Sequence, residues 1–406
     1  MSERTGRTLL VGGEVIDVRT GLAEPADVVV RGDRVTDVIS QPELLPDDTV
    51  VDVSGLFLLP GLIDCHVHLV MRGDDADPSA NARRSDEEIA ALAAEAAERT
   101  LIGGITTVRD VGGWNYVEMA LREEIQQGER VGPRLFLAGR LLSQPTEAVD
   151  YYPGMYEVAS GPEAVAKTAR NQLKRGADLI KVMATGAMLS PEGEDARAAQ
   201  LGLEDIRAAV DAAWEVGAHV AAHAHALEGI RNAVLAGVGS IEHGTYADPK
   251  VLDLMAQRGV FLVPTLSPWT QAREDGDVMR SMPEHIRTRL VEAHEIHVEM
   301  IGMAAQRGVP IAMGTDAGTP GNHHGSNVLE CVAMVEEAGI SAEHAIRSAT
   351  IDASRLLGRE SELGSIEAGK LADIIAVGRN PIADIRALSD VRFVMKGGES
   401  VKLALD

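Results

Sequence analysis

The stretch GLIDCHVHL, residues 61–69, sets His66 and His68 one residue apart at the end of an apolar run that begins at Leu58. On an extended strand successive side chains leave opposite faces, so both imidazoles share one face while Cys65 and Val67 take the other. The run is short, apolar and preceded by Pro60-Gly61, which suits a buried strand of a parallel sheet better than a surface helix. Two imidazoles converging from one strand can ligate a metal. Taken alone they are equally consistent with buried histidines satisfied by hydrogen bonds. The residues downstream decide between the two.

From about Pro60 to Gly358, apolar β-type runs alternate with Ala-rich helical patterns. Eight strands are expected, at 62–68, 105–110, 134–139, 178–184, 219–223, 240–243, 260–265 and 310–316. Between them, SDEEIAALAAEAAERTL carries Ser85 and Glu88 in capping-box spacing, with Ile89, Leu92, Ala93 and Ala96 on one face. GLEDIRAAVDAAWEVG repeats the period with Ile206, Val210, Ala213 and Trp214 inward and Gly217 as a stop. Eight such alternations predict an α/β fold of the (β/α)8 TIM-barrel type. A doubly wound sheet is disfavoured, because no GxGxxG follows the first strand. Residues 142–161 read as a long connection and a candidate active-site loop.

Residues 8–53 read instead as short Val-rich strands broken by Gly12-Gly13, Gly32-Asp33 and Pro46-Asp47-Asp48, and a similar texture returns after Leu371. The two β-rich ends are expected to pair into one small β-sandwich domain, 1–59 with 359–406, outside the barrel at 60–358. A chain of 406 residues with 45% hydrophobic content can bury both units. Only Cys65 and Cys331 are present, too few for a disulfide framework, and the N-terminus has no apolar leader, so a cytoplasmic location is expected. The formal charge of −24 argues against nucleic acid or an anionic membrane as partner and does not by itself identify the small-molecule substrate. No apolar run reaches the roughly 18 residues of a membrane span.

In such a barrel the C-terminal ends of the strands carry the chemistry. There stand His66 and His68 on strand one, Lys181 on strand four, His223 on strand five, His243 on strand six and Asp316 on strand eight. Singly, Lys181 reads as a snorkelling or ion-paired lysine, the histidines as core residues, and Asp316 as a cap. Together they suggest a metal nest. A lysine ammonium beside divalent cations is repelled, so Lys181 needs a chemical change. A neutral lysine that adds CO₂ becomes a carbamate, whose two oxygens can bridge metals about 3.5–4 Å apart.

The ordered motifs PGLIDCHVH, KVMATGAMLSPEG, AAHAHALEGI, SIEHGTYAD, GTDAGTPGNHHGSN, SATIDASRLLG and LGSIEAGKLADIIAV resemble the metal-dependent amidohydrolase superfamily across nearly the whole chain. Within it they are most similar to the imidazolonepropionase-related amidases. These include carboxypeptidase-like or prolidase-like dipeptidases and relatives that cleave N-acyl amino acids such as ochratoxin. The resemblance implies two divalent metal ions, most often zinc. His66, His68 and Asp316 would hold one, His223 and His243 the other, and N6-carboxylated Lys181 would bridge them. Imidazolonepropionase itself is a single-metal enzyme without this lysine, so Lys181 points to the dipeptidase side. The resemblance also implies a homo-oligomer. The expected reaction is attack of a metal-bridging hydroxide on the amide or peptide bond of a small dipeptide-like or N-acyl amino-acid substrate. Cyclic-amide or lactone opening on the same metals is the alternative. Asp316 would accept the proton and return it to the leaving amine. His225, sharing parity with His223, and Tyr246, in the strand-six loop, are candidate catalytic and substrate-binding donors to the developing oxyanion. His324 is a candidate substrate-binding residue and His323 an exposed neighbour. Asp64 is expected to hydrogen-bond beneath the site, Arg109 to pair with Asp110, and Cys65 to pack against a helix.

Overall fold

A computed structural model describes residues 6–274 and 276–404 of the chain, which folds into a mixed α/β body with sheets contributed by both ends of the sequence. Parallel pairing runs from Leu62–Val67 through Ile105–Asp110 to Arg134–Leu137. A second parallel set runs from Tyr156–Val158 through Leu141–Ser143, Leu179–Met183, His219–Ala224 and Ser240–His243 to Phe261–Val263. The sets touch through Asp178 N, just before Leu179–Met183, donating to Leu137 O.

Residues 310–316, expected as the last strand, form no regular ladder, only an isolated bridge at Ile311 and another just beyond at Ala317. Their backbone is nonetheless bonded on both flanks. Leu262 N donates to Pro310 O and Thr265 N to Gly314 O on one side; Cys65 N donates to Met313 O and His68 N to Ala317 O on the other. The extended backbone is interrupted at Asp316, whose φ of 58° lies in the left-handed region. The supposed connection at 142–161 also differs from expectation. It carries the helix Glu147–Tyr151 between the two short strands Leu141–Ser143 and Tyr156–Val158, which pair with each other.

The helices follow their local codes. Asp86–Ile102 starts on the Ser85/Glu88 capping box and buries Ile89, Ala93, Ala96 and Ala97. Leu203–Trp214 buries Ile206, Ala209, Ala212 and Ala213, while Trp214 is 80% exposed, which corrects the expected inward tryptophan. Three alanines on one side let this helix pack closely against its neighbour, and that choice rotates Trp214 out to solvent. Cys65 packs with Ala353 and Leu356 of the helix Ile351–Leu356.

The two termini share their β structure. Arg34–Ile39, Asp27–Arg31, Arg7–Val11 and Thr49–Asp52 form one sheet. Glu399–Leu403, Val391–Lys396, Ile374–Val377, Phe57–Pro60, Glu14–Asp17 and Leu22–Pro25 form another, in which Phe57–Pro60 pairs with Ile374–Val377. Leu10, Val28 and Val35 of the first sheet and Leu58, Ile374 and Phe393 of the second lie in one buried apolar cluster. Among the described residues no helix is long and apolar enough to cross a membrane.

Glu118 is a buried acid with a measurable consequence. Its carboxylate oxygens have no hydrogen-bond partner among the described residues, and the backbone at Gly113 presses so close that a Cβ there would fall 2.0 Å from the carboxyl carbon. Burial, reinforced by Asp110, pushes its pKa up to about 8. The folded value lies above the unfolded one, so this stabilising contribution is complete below the unfolded pKa of about 4.5 and is lost as pH rises through 8. The thermal unfolding midpoint is therefore expected to fall between pH 5 and pH 9, and Glu118→Gln to flatten that slope. An unchanged slope in the variant would show that this carboxyl does not titrate there.

Candidate active site

The site grows from the way each imidazole is tethered by one ring nitrogen. His68 Nδ1 donates to Gly112 O at 2.9 Å, and His66 Nδ1 meets Glu242 Oε2 at 2.8 Å. Their Nε2 atoms then reach 3.2 Å and 3.4 Å from the same oxygen of Asp316, Oδ1. Burial would lift the Asp316 carboxyl, but His66 and His68 override it and hold it well below the carboxylate range.

The second group is more telling. His223 Nε2 faces the Gly186 carbonyl at 3.1 Å, and a carbonyl only accepts, so the proton of a neutral ring sits on Nε2 and Nδ1 is bare. His243 Nδ1 lies 2.6 Å from Thr265 Oγ1, whose own hydrogen goes to Pro264 O, so Nδ1 is the donor and His243 Nε2 is bare. Burial, with Lys181 next, pushes His223 down to about 3, and burial holds His243 well below the ordinary histidine value, so both rings are neutral. His223 Nδ1 and His243 Nε2 are only 2.9 Å apart. Two lone pairs face each other with no proton between them, an arrangement that a cation, and little else, makes favourable.

Beneath the histidines lies a buried ion pair. Arg109 Nη2 reaches both Glu242 oxygens at 2.8 and 3.0 Å, its Nε donates to Cys65 O at 2.6 Å and its Nη1 to Ser240 Oγ at 3.0 Å. Arg109 therefore pairs with Glu242, not with Asp110 as the sequence suggested; Asp110 instead accepts from the Leu69 and Gly112 amides. Burial works against the Glu242 carboxylate, yet Arg109 and then His66 keep it well below its ordinary value. Asp64 accepts from His66 N, Thr315 N, Thr315 Oγ1 and Asn327 Nδ2, tying the first strand to the segment that carries Asp316.

Strain marks the same ground. His243, Thr265 and Asp316 have φ of 69°, 53° and 58°. Such a conformation costs a non-glycine residue ~1–3 kcal/mol and persists where surrounding contacts over-determine it. At His243 it has a purpose. Glu242 points to the site, so plain alternation would send His243 away, and the left-handed turn brings its ring back.

Lys181 is 1% exposed and makes no hydrogen bond or ion pair among the described residues. Burial pulls its pKa down to about 8 against the opposing pull of Glu242 and Asp316, so a neutral amine is accessible near physiological pH. It lines the same cavity as His66, His68, His223, His243 and Asp316. Donor atoms of His66, His68 and Asp316 lie within 4.8 Å of one another, and so do those of His223, His225 and His243. Buried imidazoles with one partly buried carboxylate are a donor set suited to divalent ions of the zinc type.

The remaining expected residues divide. His225 lines the cavity, stacked on His243 at 4.6 Å and 17°. Tyr246 does not reach the wall; its ring lies under the Arg197 guanidinium and its hydroxyl is 3.3 Å from Arg197 Nη2. His324 is turned away as well. Its Nε2 bonds His68 O at 3.2 Å, its Nδ1 is 3.4 Å from Thr100 Oγ1, and it opens with His323 onto a separate crevice beside Arg72 and Arg99. Neither loop position could be oriented from sequence, because parity holds only along a strand.

The sequence reading missed most of the cavity wall. Met71, Leu141, Tyr152, Met155, Tyr156, Met183, Met188, Leu189, Trp269 and Leu290 line it. Two devices hold that wall. Arg289 donates to the carbonyls of Ser190, Pro191 and Glu194 at 2.9, 3.2 and 2.6 Å, clamping the loop that supplies Met188 and Leu189. Glu330 accepts from Leu266 N, Ser267 N and Ser267 Oγ at 2.8, 2.6 and 2.7 Å, capping the helix Ser267–Glu274 that presents Trp269. Burial pushes the Glu330 carboxyl up to about 7.

Comparison with known proteins agrees with this geometry. Residues 57–401 match the model of the Amidohydrolase family. The chain is 32% identical over 377 residues to ochratoxinase of Aspergillus niger, covering 85% of this chain and 75% of the relative. It is 26% identical to imidazolonepropionase of Streptomyces griseus, covering 87% and 86%. A crystal structure of a Xaa-Pro dipeptidase with bound methionine in the active site superposes with a TM-score of 0.89 at 37% identity, covering 98% of this chain and 100% of that one. The chain belongs to the amidohydrolase family and is a hydrolase acting on carbon–nitrogen bonds.

Proposed function

We propose that the chain is a two-metal amide hydrolase that cleaves small N-acyl amino acids or dipeptide-like substrates. The observation that carries this reading is the pair of bare nitrogens on His223 and His243, 2.9 Å apart, beside a second cluster in which His66 and His68 Nε2 lie 3.4 and 3.2 Å from the ionised Asp316 carboxylate. His66, His68 and Asp316 would hold one divalent ion, zinc by its donor chemistry, and His223 and His243 the other, with Lys181 between them as its carbamate. Such ions, when bound, supply Lewis acidity that polarises a carbonyl and acidifies water. The chain's own groups do the rest. Asp316, ionised and partly buried, takes the proton of the attacking water and returns it to the leaving amine. Glu242 holds the His66 ring, and the apolar wall excludes water from the reacting carbonyl.

The same wall bears on substrate. Four methionines, two tyrosines and a tryptophan line the cavity, which favours a bulky apolar group on one side of the amide. The named amidases among the relatives, ochratoxinase and the Xaa-Pro dipeptidase, support hydrolysis at a linear amide. On this reading residues 60–358 form a (β/α)8 barrel closed by the segment 310–317, and 1–59 with 359–406 a β-sandwich; the backbone bonds on both flanks of that segment support the first and the shared apolar cluster the second.

A panel of N-acyl amino acids and dipeptides, run beside hydantoins and lactones, tests the proposal. The linear amides are expected to be turned over and the rings not; preference for a lactone or hydantoin would overturn it. Prolonged chelation is expected to abolish the activity and added Zn²⁺ to restore it. Full activity in thoroughly metal-free protein would contradict the two-metal reading.

A further inference from the structure

Behind His225 runs a chain of hydrogen bonds that leaves the metal-binding cluster. His225 Nδ1 lies 2.9 Å from Thr245 Oγ1, Thr245 Oγ1 lies 3.2 Å from His297 Nδ1, and His297 Nε2 lies 2.8 Å from Pro264 O. All three side chains are buried, His225 at 2% and Thr245 and His297 at 0% exposure.

The far end sets the direction of every proton. A carbonyl only accepts, so His297 Nε2 carries hydrogen. The ring is enclosed, stacks on Trp269 at 5.0 Å and 22°, and has no carboxylate within hydrogen-bond distance, so it is neutral and its Nδ1 is bare. Thr245 has one hydrogen and gives it to that Nδ1. Toward His225 the hydroxyl can then only accept, which puts the His225 proton on Nδ1. The His225 ring is enclosed too and has no carboxylate within hydrogen-bond distance, so with its one proton on Nδ1 the Nε2 is left with a lone pair. That nitrogen has no partner among the described residues, and the ring stands in the cavity wall with its plane held by stacking on His243. A second contact steadies the backbone, because His225 N donates to Thr185 Oγ1 at 3.0 Å.

We propose that Thr245 and His297 are positioning residues that hold His225 as its Nδ1–H tautomer, so that His225 meets substrate or attacking water as a hydrogen-bond acceptor. This inverts the donor role the sequence suggested for His225. Oxyanion stabilisation then falls to groups other than this imidazole. The inference rests on the cavity being the active site, as proposed above, and not on which amide is cleaved.

The test combines a spectroscopic signature with kinetics. In metal-loaded, ¹⁵N-histidine-labelled full-length protein, with His225 assigned by its loss in His225→Gln, a pyrrole-type shift at Nδ1 and a pyridine-type shift at Nε2 are expected. A protonated Nε2 in the unmutated protein overturns the inference. Thr245→Val is expected to lose the Nδ1 preference and to lower kcat roughly tenfold with little change in KM, while Thr245→Ser restores both. His297→Phe, which keeps the stack on Trp269, is expected to match Thr245→Val and to add nothing to it. Metal content should stay at the unmutated level in all of them. Unmutated kcat in both Thr245→Val and His297→Phe would overturn the inference. Failure of the unmutated enzyme on every amide would instead sink the proposed reaction, and the tautomer measurement would still decide the arrangement of this chain.

Discussion

Lys181→Ala is expected to lower kcat/KM by roughly three to four orders of magnitude, about 4–5 kcal/mol of transition-state stabilisation. The residue is fully enclosed among the two clusters, with its amine pulled down to about 8 by burial. A charged ammonium there would repel both cations, so the lysine must be neutral or converted to an anion for the clusters to fill. As a carbamate it would offer one oxygen to each ion, and removing it would cost metal affinity and geometry together. The variant should therefore lose metal as well as activity. A small carboxylic acid added to Lys181→Ala should restore part of both, because it places two oxygens where the carbamate stood. The alanine should not be strongly destabilising, since it leaves no buried charge behind. If Lys181→Ala kept its metal and most of its activity, the lysine would be only a buried amine.

Arg109→Met should have the largest effect on stability. It would strand the Glu242 carboxylate, which is 0% exposed and takes two of its hydrogen bonds from that guanidinium. Removing one partner of such a pair costs about 3–5 kcal/mol, because the uncompensated charge stays buried. Removing both is far cheaper. Arg109→Met with Glu242→Leu is thus expected to recover most of the lost urea-unfolding stability, and the cycle to show strong coupling. Activity should not recover with it, since His66 Nδ1 loses the carboxylate that orients its ring. Additive stability losses in the double variant would mean that the two side chains act separately.

How much of this was legible in the sequence follows from which residues obey a period. His66 and His68 declared themselves because strand parity places i and i+2 together, and Lys181 because a lone charge in the apolar strand Leu179–Met183 needs a reason. The pairing of Arg109 with Glu242 was not legible, since the partners are 133 positions apart and the nearer Asp110 was an equally good acid. Glu242 itself left a trace, as a carboxylate inside an apolar strand must be paired, but parity allowed either it or His243 to face the site. The left-handed turn that admits both is invisible in residue types alone. That Tyr246 and His324 stand off the cavity wall was not legible for a related reason, because loop side chains have no period and these two lie against Arg197 and the His68 carbonyl. The apolar wall was missed because its members come from loops and helices far apart in the chain, held by Arg289 and Glu330.

The most direct test of the central claim is the metal content of purified, fully active enzyme, measured by elemental analysis per chain. Two equivalents of a divalent metal are expected, falling to one or none when Lys181 is replaced. A single equivalent at full activity, unchanged by that replacement, would contradict the account.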